Sequence, residues 1–222
     1  MTAAVIIPTL DEEAWIGAAV DSAFAAGAAE VIVCDGGSRD ATTSIAAARG
    51  ARVIACEPMR SRQLNRGARE ASSPDLIFLH ADTLLPLGAA AAVSAALAAG
   101  IDFGGFRLTF AEPARKLRVA AAMISLRTTL TRCPWGDQEQ FIRRDRFLAA
   151  GGFREIPLME DYDLALRMKR AGRTAALPLT VTTSGRRFLR MGVWRTAWIN
   201  WRIIVRYRVG ADPGELAREY RR

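Results

Sequence analysis

Three apolar runs in this chain end on side chains that can do chemistry. Pro8-Thr9-Leu10-Asp11-Glu12 follows AAVII, Asp35-Gly36-Gly37-Ser38 follows EVIVC, and His80-Ala81-Asp82 follows DLIFL. A carboxylate such as Asp35 accepts an N–H from a base edge, and Gly36-Gly37 lets the backbone approach a ligand closely. Asp82 suits a hard divalent cation held by one or two carboxylates and by phosphate oxygens. His80 can orient a ribose or ligate through nitrogen. In Glu160-Asp161-Tyr162-Asp163, helical spacing puts Asp161 on one face with Leu164, Ala165 and Met168. A carboxylate on an apolar face needs a partner or a task, and a general base is such a task. Glu160, Asp163, Arg167 and Arg170 fall on another face, expected to be a solvated set of ion pairs. Arg62 and Arg66, at i and i+4, share one basic face of a helix that can meet an anionic group.

Each of these has a plainer alternative, and the residues alone leave both open. They are a turn with an N-cap for Asp35–Ser38, a strand-end turn for Asp82, a satisfied core group for His80, a helix-dipole partner for Asp161 and a solvated face for the arginines.

The elements that must position these residues alternate. Strands are expected at 3–8, 30–35, 51–56 and 75–82, with helices over 12–25, 39–49, 61–72 and 86–100. Ser38 is the expected cap of the second helix, and Gly50 its end. Continuous apolar strands separated by helices imply βαβ units and a parallel sheet covered on both faces. Ligands bind beyond the carboxyl ends of such strands, where the three polar segments fall. Neither G-x-G-x-x-G nor G-x-x-x-x-G-K-[ST] is present, so a dinucleotide Rossmann or P-loop reading has no support. Past residue 100 the regularity is lost. A strand at 103–110, a helix at 113–130, a loop with a short strand over 131–145, a helix at 160–171, a strand at 173–181 and a helix at 191–208 are expected.

The chain has 222 residues with 31 basic and 23 acidic side chains, a formal net charge of +8. The excess sits at one end: residues 1–184 carry 21 basic and 20 acidic groups, residues 185–222 carry 10 and 3. The expected organisation is one domain over 1–184 followed by a basic helical tail over 185–222. With the charge confined to the tail and no binding motif, a nucleic-acid partner is not expected. The three cysteines are far apart and in no metal-binding spacing, as for free thiols of a reducing compartment. No basic n-region precedes the first strand, so the expected location is cytoplasmic. In 191–208, Val193, Trp194, Ala197, Trp198, Trp201, Ile204 and Val205 form an apolar stripe flanked by arginines. That stripe suits an anionic membrane interface, the body of the protein or a second subunit.

Five segments, VIIPTLDEE, VIVCDGGSRDAT, FLHADT, WGDQEQFIRR and PLMEDYDLALRMKRAGR, resemble in order and spacing those of family 2 glycosyltransferases, over about residues 1–180. The later GRRFLRMGVWRT is similar to a small bacterial subgroup described as radical-SAM- or selenodomain-associated. The resemblance implies an α/β GT-A fold and a sugar moved from a nucleoside-diphosphate sugar to a hydroxyl or carboxyl acceptor, with inversion. It implies that Pro8, Leu10 and Glu12 line the nucleoside pocket and that Asp35 contacts the base. Ala81 and Asp82 would end an Asp-x-Asp signature, Asp82 holding Mg²⁺ or Mn²⁺. Asp161 would be the catalytic base, and Trp135, Gly136, Asp137 and Gln138 part of the acceptor wall. His80 stands where the family commonly has Asp, and Gly36 where it has a second Asp. The Gln-x-x-Arg-Trp segment of processive members is missing, which favours single transfer. The resemblance leaves the acceptor unnamed; a stripe that binds membrane would suit a lipid-linked one. Two rivals are a nucleotidyltransferase, which would make a nucleotide sugar, and a basic nucleic-acid-binding module.

Overall fold

Val5, Ile6 and Ile7 of β1 (Ala3–Thr9) are fully buried, which a strand paired on both edges and covered on both faces requires. The computed structural model describes residues 3–220. It pairs β1 in parallel with β2 (Glu30–Asp35) and β4 (Asp75–Phe78), and β2 in parallel with β3 (Arg52–Ala55). The pleat sorts the core. Val5, Ile7, Val31 and Val33 pack with α1 (Ile16–Ala25), α2 (Thr42–Ala48) and α4 (Ala89–Ala98). Ala4, Ile6, Ile32 and Cys34 pack with α3 (Arg60–Glu70) and α7 (Glu160–Ala171). At Gly67 of α3 an added Cβ would collide with Ile6 and lie 2.7 Å from Cys34 Sγ, so glycine is what lets this helix lie so close on the sheet.

Beyond β4 the sheet mixes directions. Its order is β3-β2-β1-β4-β7-β6-β8-β5, adding β5 (Thr83–Leu84), β6 (Phe103–Phe110), β7 (Phe141–Arg143) and β8 (Thr174–Thr183). β7 runs antiparallel to β4 and β6, β6 is parallel to β8, and β5 is antiparallel to β8. Helices α5 (Arg115–Thr131), α6 (Arg144–Ala149), α8 (Arg186–Met191), α9 (Val193–Arg208) and α10 (Pro213–Tyr220) complete the described chain.

Four expectations need correction. The strand expected over 75–82 ends at Phe78, because the next ladder position is lost: His80 N–H donates to the Glu139 side chain (2.9 Å) instead of a neighbouring strand. Ser38 does not cap α2; its hydroxyl is spent on Asp35, the helix begins at Thr42, and Asp40 Oδ1 takes the Thr42 N–H (2.9 Å). The helix expected over 191–208 is found but begins at Val193, after Gly192 (φ 85°), and Met191 ends a separate short helix. Finally, Glu160 and Asp163 are buried, not solvated. Ile203 and Leu216 from α9 and α10 join the core beside Leu164, and Tyr207 donates its hydroxyl to Asp163 Oδ1 (3.0 Å). The C-terminal helices therefore cover the face that spacing within α7 alone left to solvent.

Candidate active site

Side chains stitch the loops after β1 and β2 together. Asp11 N–H donates to Ser38 Oγ (2.9 Å), Arg39 N–H to Asp11 Oδ1 (2.8 Å) and Glu12 N–H to Thr42 Oγ1 (2.8 Å). Gln63 Nε2 of α3 donates to the carbonyls of Thr9 (2.8 Å) and Cys34 (2.7 Å), clamping the two strand ends. Asp35 is buried beneath this seam. Its Oδ2 accepts the N–H groups of Gly37 (2.9 Å) and Ser38 (3.0 Å), and its Oδ1 accepts from the hydroxyls of Ser38 and Thr9. Its carboxylate thus does the turn-forming work of the plainer reading. Leu10 is exposed on the rim, and Pro8 sits in β1 paired with Cys34.

Glu12 and Asp82 converge on one cation. Arg186 Nη2 lies 3.0 Å from Glu12 Oε1 and 3.2 Å from Asp82 Oδ2. Among the described residues no group of three or more His, Cys, Asp or Glu side chains forms a cage for a metal ion. The fold offers instead a cation position between two carboxylates, in which a guanidinium stands. That donor set suits a hard divalent ion whose remaining ligands are phosphate oxygens.

A polar chain runs on from the end of β4. Glu139 is fully buried, and its oxygens meet His80 N (2.9 Å) and His80 Nδ1 (2.8 Å). A carboxylate only accepts, so Nδ1 carries the proton. In the neutral ring Nε2 then offers its lone pair to Arg60 Nη2, 2.7 Å away. Arg60 Nη1 in turn pairs with the buried Glu160 Oε1 (2.5 Å). Burial disfavours the imidazolium, Glu139 favours it and Arg60 opposes it; the balance leaves His80 above its ordinary value. Charging the ring puts Nε2–H against Arg60 N–H, so the ring releases the guanidinium as it protonates. His80 is the only histidine. Its ring signal in an NMR titration of the metal-free protein should therefore have a midpoint above 6.5. The stability from this raised value is fully present below about pH 6.5 and lost as the pH rises through the folded midpoint. A midpoint at or below 6.5 counts against the Glu139 clamp.

Asp161 is the second residue of α7, which starts after Met159 (φ 72°). Its Oδ2 accepts the Gly136 N–H, and its carbonyl accepts Gln140 Nε2 (3.0 Å). An added Cβ at Gly136 would collide with that carboxylate and lie 2.9 Å from Arg60 Nη2, so only glycine lets the 136–138 turn come this close. Trp135 stands edge-on to Tyr162 (5.9 Å between ring centres), with the Arg127 guanidinium 3.2 Å over its ring. Asp137 Oδ1 is buried without a hydrogen-bond partner, and burial pushes that carboxyl up against the pull of Arg127.

Arg60, His80, Trp135, Asp137, Glu160 and Asp161 line a cavity of about 350 Å³ together with Leu158, Ile203, Ile204 and Tyr220. Of the residues expected from sequence, the structure brings His80, Trp135, Asp137 and Asp161 to this cavity, and Glu12 and Asp82 to Arg186. Others go elsewhere. Arg62 pairs with Glu57 and Glu155, and Arg66 with Glu70 (2.8 Å), on a solvated face; the arginine of α3 that reaches the cavity is Arg60. Gln138 is fully buried and holds its own turn through Thr128, Arg127 and the Phe106 carbonyl (3.0 Å), so it is no part of a wall. Ala81 is buried and contributes no polar group. Spacing gave no role to Glu139 or Arg186, although the polar run Asp137–Gln140 ahead of apolar Phe141-Ile142 was a signal for the former.

The fold is thus a mostly parallel α/β sheet with carboxylates at its strand ends, beside a cavity edged by a helix-start acid. The profile of glycosyl transferase family 2 matches residues 4–118, more than half the chain. The chain belongs to that family. Among solved structures it is similar to S. aureus TarS 1–349 in complex with UDP (TM-score 0.65, 16% identity, 85% of this chain and 62% of that one). It is similar to a longer TarS structure (0.65, 15%, 83% and 37%). It also resembles glucosyl-3-phosphoglycerate synthase from Mycobacterium tuberculosis in complex with Mn²⁺ and UDP-glucose (0.56, 22%, 82% and 70%). At these identities the likeness is one of fold, the GT-A fold, and the chain spans only 37–62% of those two TarS chains. A search of curated proteins finds no match.

Proposed function

We propose that this protein transfers a sugar from a nucleoside-diphosphate sugar to an acceptor hydroxyl or carboxyl, inverting the anomeric centre, with Asp161 as base. The observation that carries this reading is the juxtaposition of Asp161 with the unpartnered Asp137 Oδ1 in one cavity beside the strand ends. An acceptor O–H donating to Asp137 would satisfy that oxygen, and Asp161 would take the proton of the attacking group. Arg60, held by Glu160 and His80, contributes fixed positive charge where the leaving diphosphate develops negative charge. Asp82, with Glu12 opposite, would hold Mg²⁺ or Mn²⁺. Bound there, that ion would neutralise charge on the departing diphosphate. The related fold of a synthase solved with Mn²⁺ and UDP-glucose supports both the metal and a UDP-sugar as first probes.

The test is a donor screen by nucleoside-diphosphate release with Mn²⁺ or Mg²⁺. Release from a UDP-sugar, lost in Asp82→Ala, is expected. Pyrophosphate release from a nucleoside triphosphate plus a sugar phosphate would make the protein a nucleotidyltransferase instead.

The cavity walls suit an acceptor with an apolar part, and the surface favours one held at an anionic membrane. Trp194, Trp198 and Trp201 on α9 are 71%, 54% and 59% exposed, so they do not pack on the body of the protein. Val119, Met123, Leu126 and Leu130 form an exposed stripe on α5, which meets α9 through Leu117, Ala120 and Val193. No acidic residue occurs in 113–136 or 185–211, while arginines recur through both. Two copies meeting through such faces would repel each other, whereas anionic lipid complements the charge. Among the described residues no helix is long and apolar enough to cross a membrane. Trp194→Ser/Trp198→Ser should lose about tenfold or more in co-sedimentation with phosphatidylserine vesicles; equal binding by variant and parent rejects the membrane face.

A further inference from the structure

We infer that Arg186 holds the divalent-cation position of the donor site closed until the nucleotide arrives, so that metal is captured only together with the diphosphate. The inference rests on the reading of Asp82 as a metal ligand. Arg186 is a built part of this site and no stray surface contact. Thr183 pairs with Thr83, one residue from Asp82, and Ser184 N–H donates to the Asp82 carbonyl (3.2 Å). Gly185 N–H is tied to Glu112 Oε2 (2.7 Å), which fixes where the next residue begins. From there the guanidinium reaches Asp82 Oδ2 (3.2 Å) and both Glu12 oxygens (3.0 and 3.3 Å), with its Cζ 5.7 Å from the Trp15 ring centre.

The charges explain why this cation and a metal ion exclude one another in the empty site. Glu12, Asp82 and Arg186 together leave one negative charge uncompensated. A divalent ion alone would turn that into one positive charge, set against the guanidinium at close range. A dianionic diphosphate arriving with the ion restores the original balance and gives Arg186 new oxygens to meet. Half of the Arg186 side chain is open to solvent, so its ion pairs are exchangeable and no core contact must break.

The test measures Mn²⁺ binding by the electron paramagnetic resonance of the free ion, with and without UDP. Without UDP, Arg186→Gln should bind Mn²⁺ about tenfold more tightly than the parent, since a like charge beside the ligand has been removed. Arg186→Lys, which keeps the charge, should stay within about twofold of the parent. Saturating UDP should close the gap. Equal or weaker nucleotide-free affinity in Arg186→Gln, or a Lys variant as avid as the Gln one, overturns the inference while leaving the metal site standing. If neither parent nor variant takes up Mn²⁺ even with UDP, the metal reading of Asp82 is itself wrong and the inference falls with it.

Discussion

Replacing Asp161 by Asn should lower kcat by about 10²–10⁴-fold, the range a general base supplies, and leave UDP-sugar affinity unchanged. Asn keeps the shape of the site, because its Oδ1 still accepts the Gly136 N–H that holds the carboxylate in place. What it loses is the ability to take a proton. Asp137→Asn provides the contrast. Asp137 also lines the cavity and carries an unpartnered oxygen, so its loss should raise the KM for acceptor more than it lowers kcat. Measured kcat and KM for both variants separate the roles. Full activity in Asp161→Asn would refute its role as base, and a kcat loss confined to Asp137→Asn would transfer that role to Asp137.

Glu139→Gln should destabilise the protein by about 3 kcal/mol, since one partner of a buried charged network is removed. For a chain of this size that is a fall of about 6–12 °C in Tm. Gln can accept from the His80 N–H through Oε1, but its amide then donates to Nδ1. The ring proton must move to Nε2, where it faces Arg60 Nη2 instead of accepting from it. Arg60 is left with Glu160 alone, and the positive charge in the cavity loses its fixed position. Activity should therefore fall together with stability, and the His80 titration should move down. A Tm within about 2 °C of the parent would show that the Glu139–His80–Arg60 chain is not held as described.

The parallel half of the sheet was legible because its strands are short, mostly apolar runs separated by helix-length segments. Asp82, His80 and Asp161 could be picked out for the same reason: each is a polar group where the pattern demands an apolar one or an end. The errors share a cause as well. Glu160 and Asp163 read as solvated because helical spacing knows only the residues of its own helix. The surface that buries them comes from Tyr207 and Ile203, far along the chain. Arg62 and Arg66 have the spacing for a diphosphate, but Glu57, Glu155 and Glu70 already neutralise them. Arg60, with no such spacing, is aimed at the cavity by Glu160. Gln138 was expected in the acceptor wall beside Trp135 and Asp137, yet its amide is taken up by the Phe106 carbonyl of β6 and by Arg127 and Thr128 of α5. The place of Arg186 depends on the pairing of β8 with β5, which no local pattern encodes. Long-range pairing is what brings Arg186, from the expected basic tail, to Glu12 and Asp82.

The reading of the strand ends as a donor site is most directly tested by a crystal structure with UDP and Mn²⁺ soaked in. The diphosphate is expected beside Asp82 and Arg186, with its terminal phosphate turned toward the Asp161 cavity. A nucleotide bound elsewhere, or with its diphosphate remote from Asp82, would contradict the assignment.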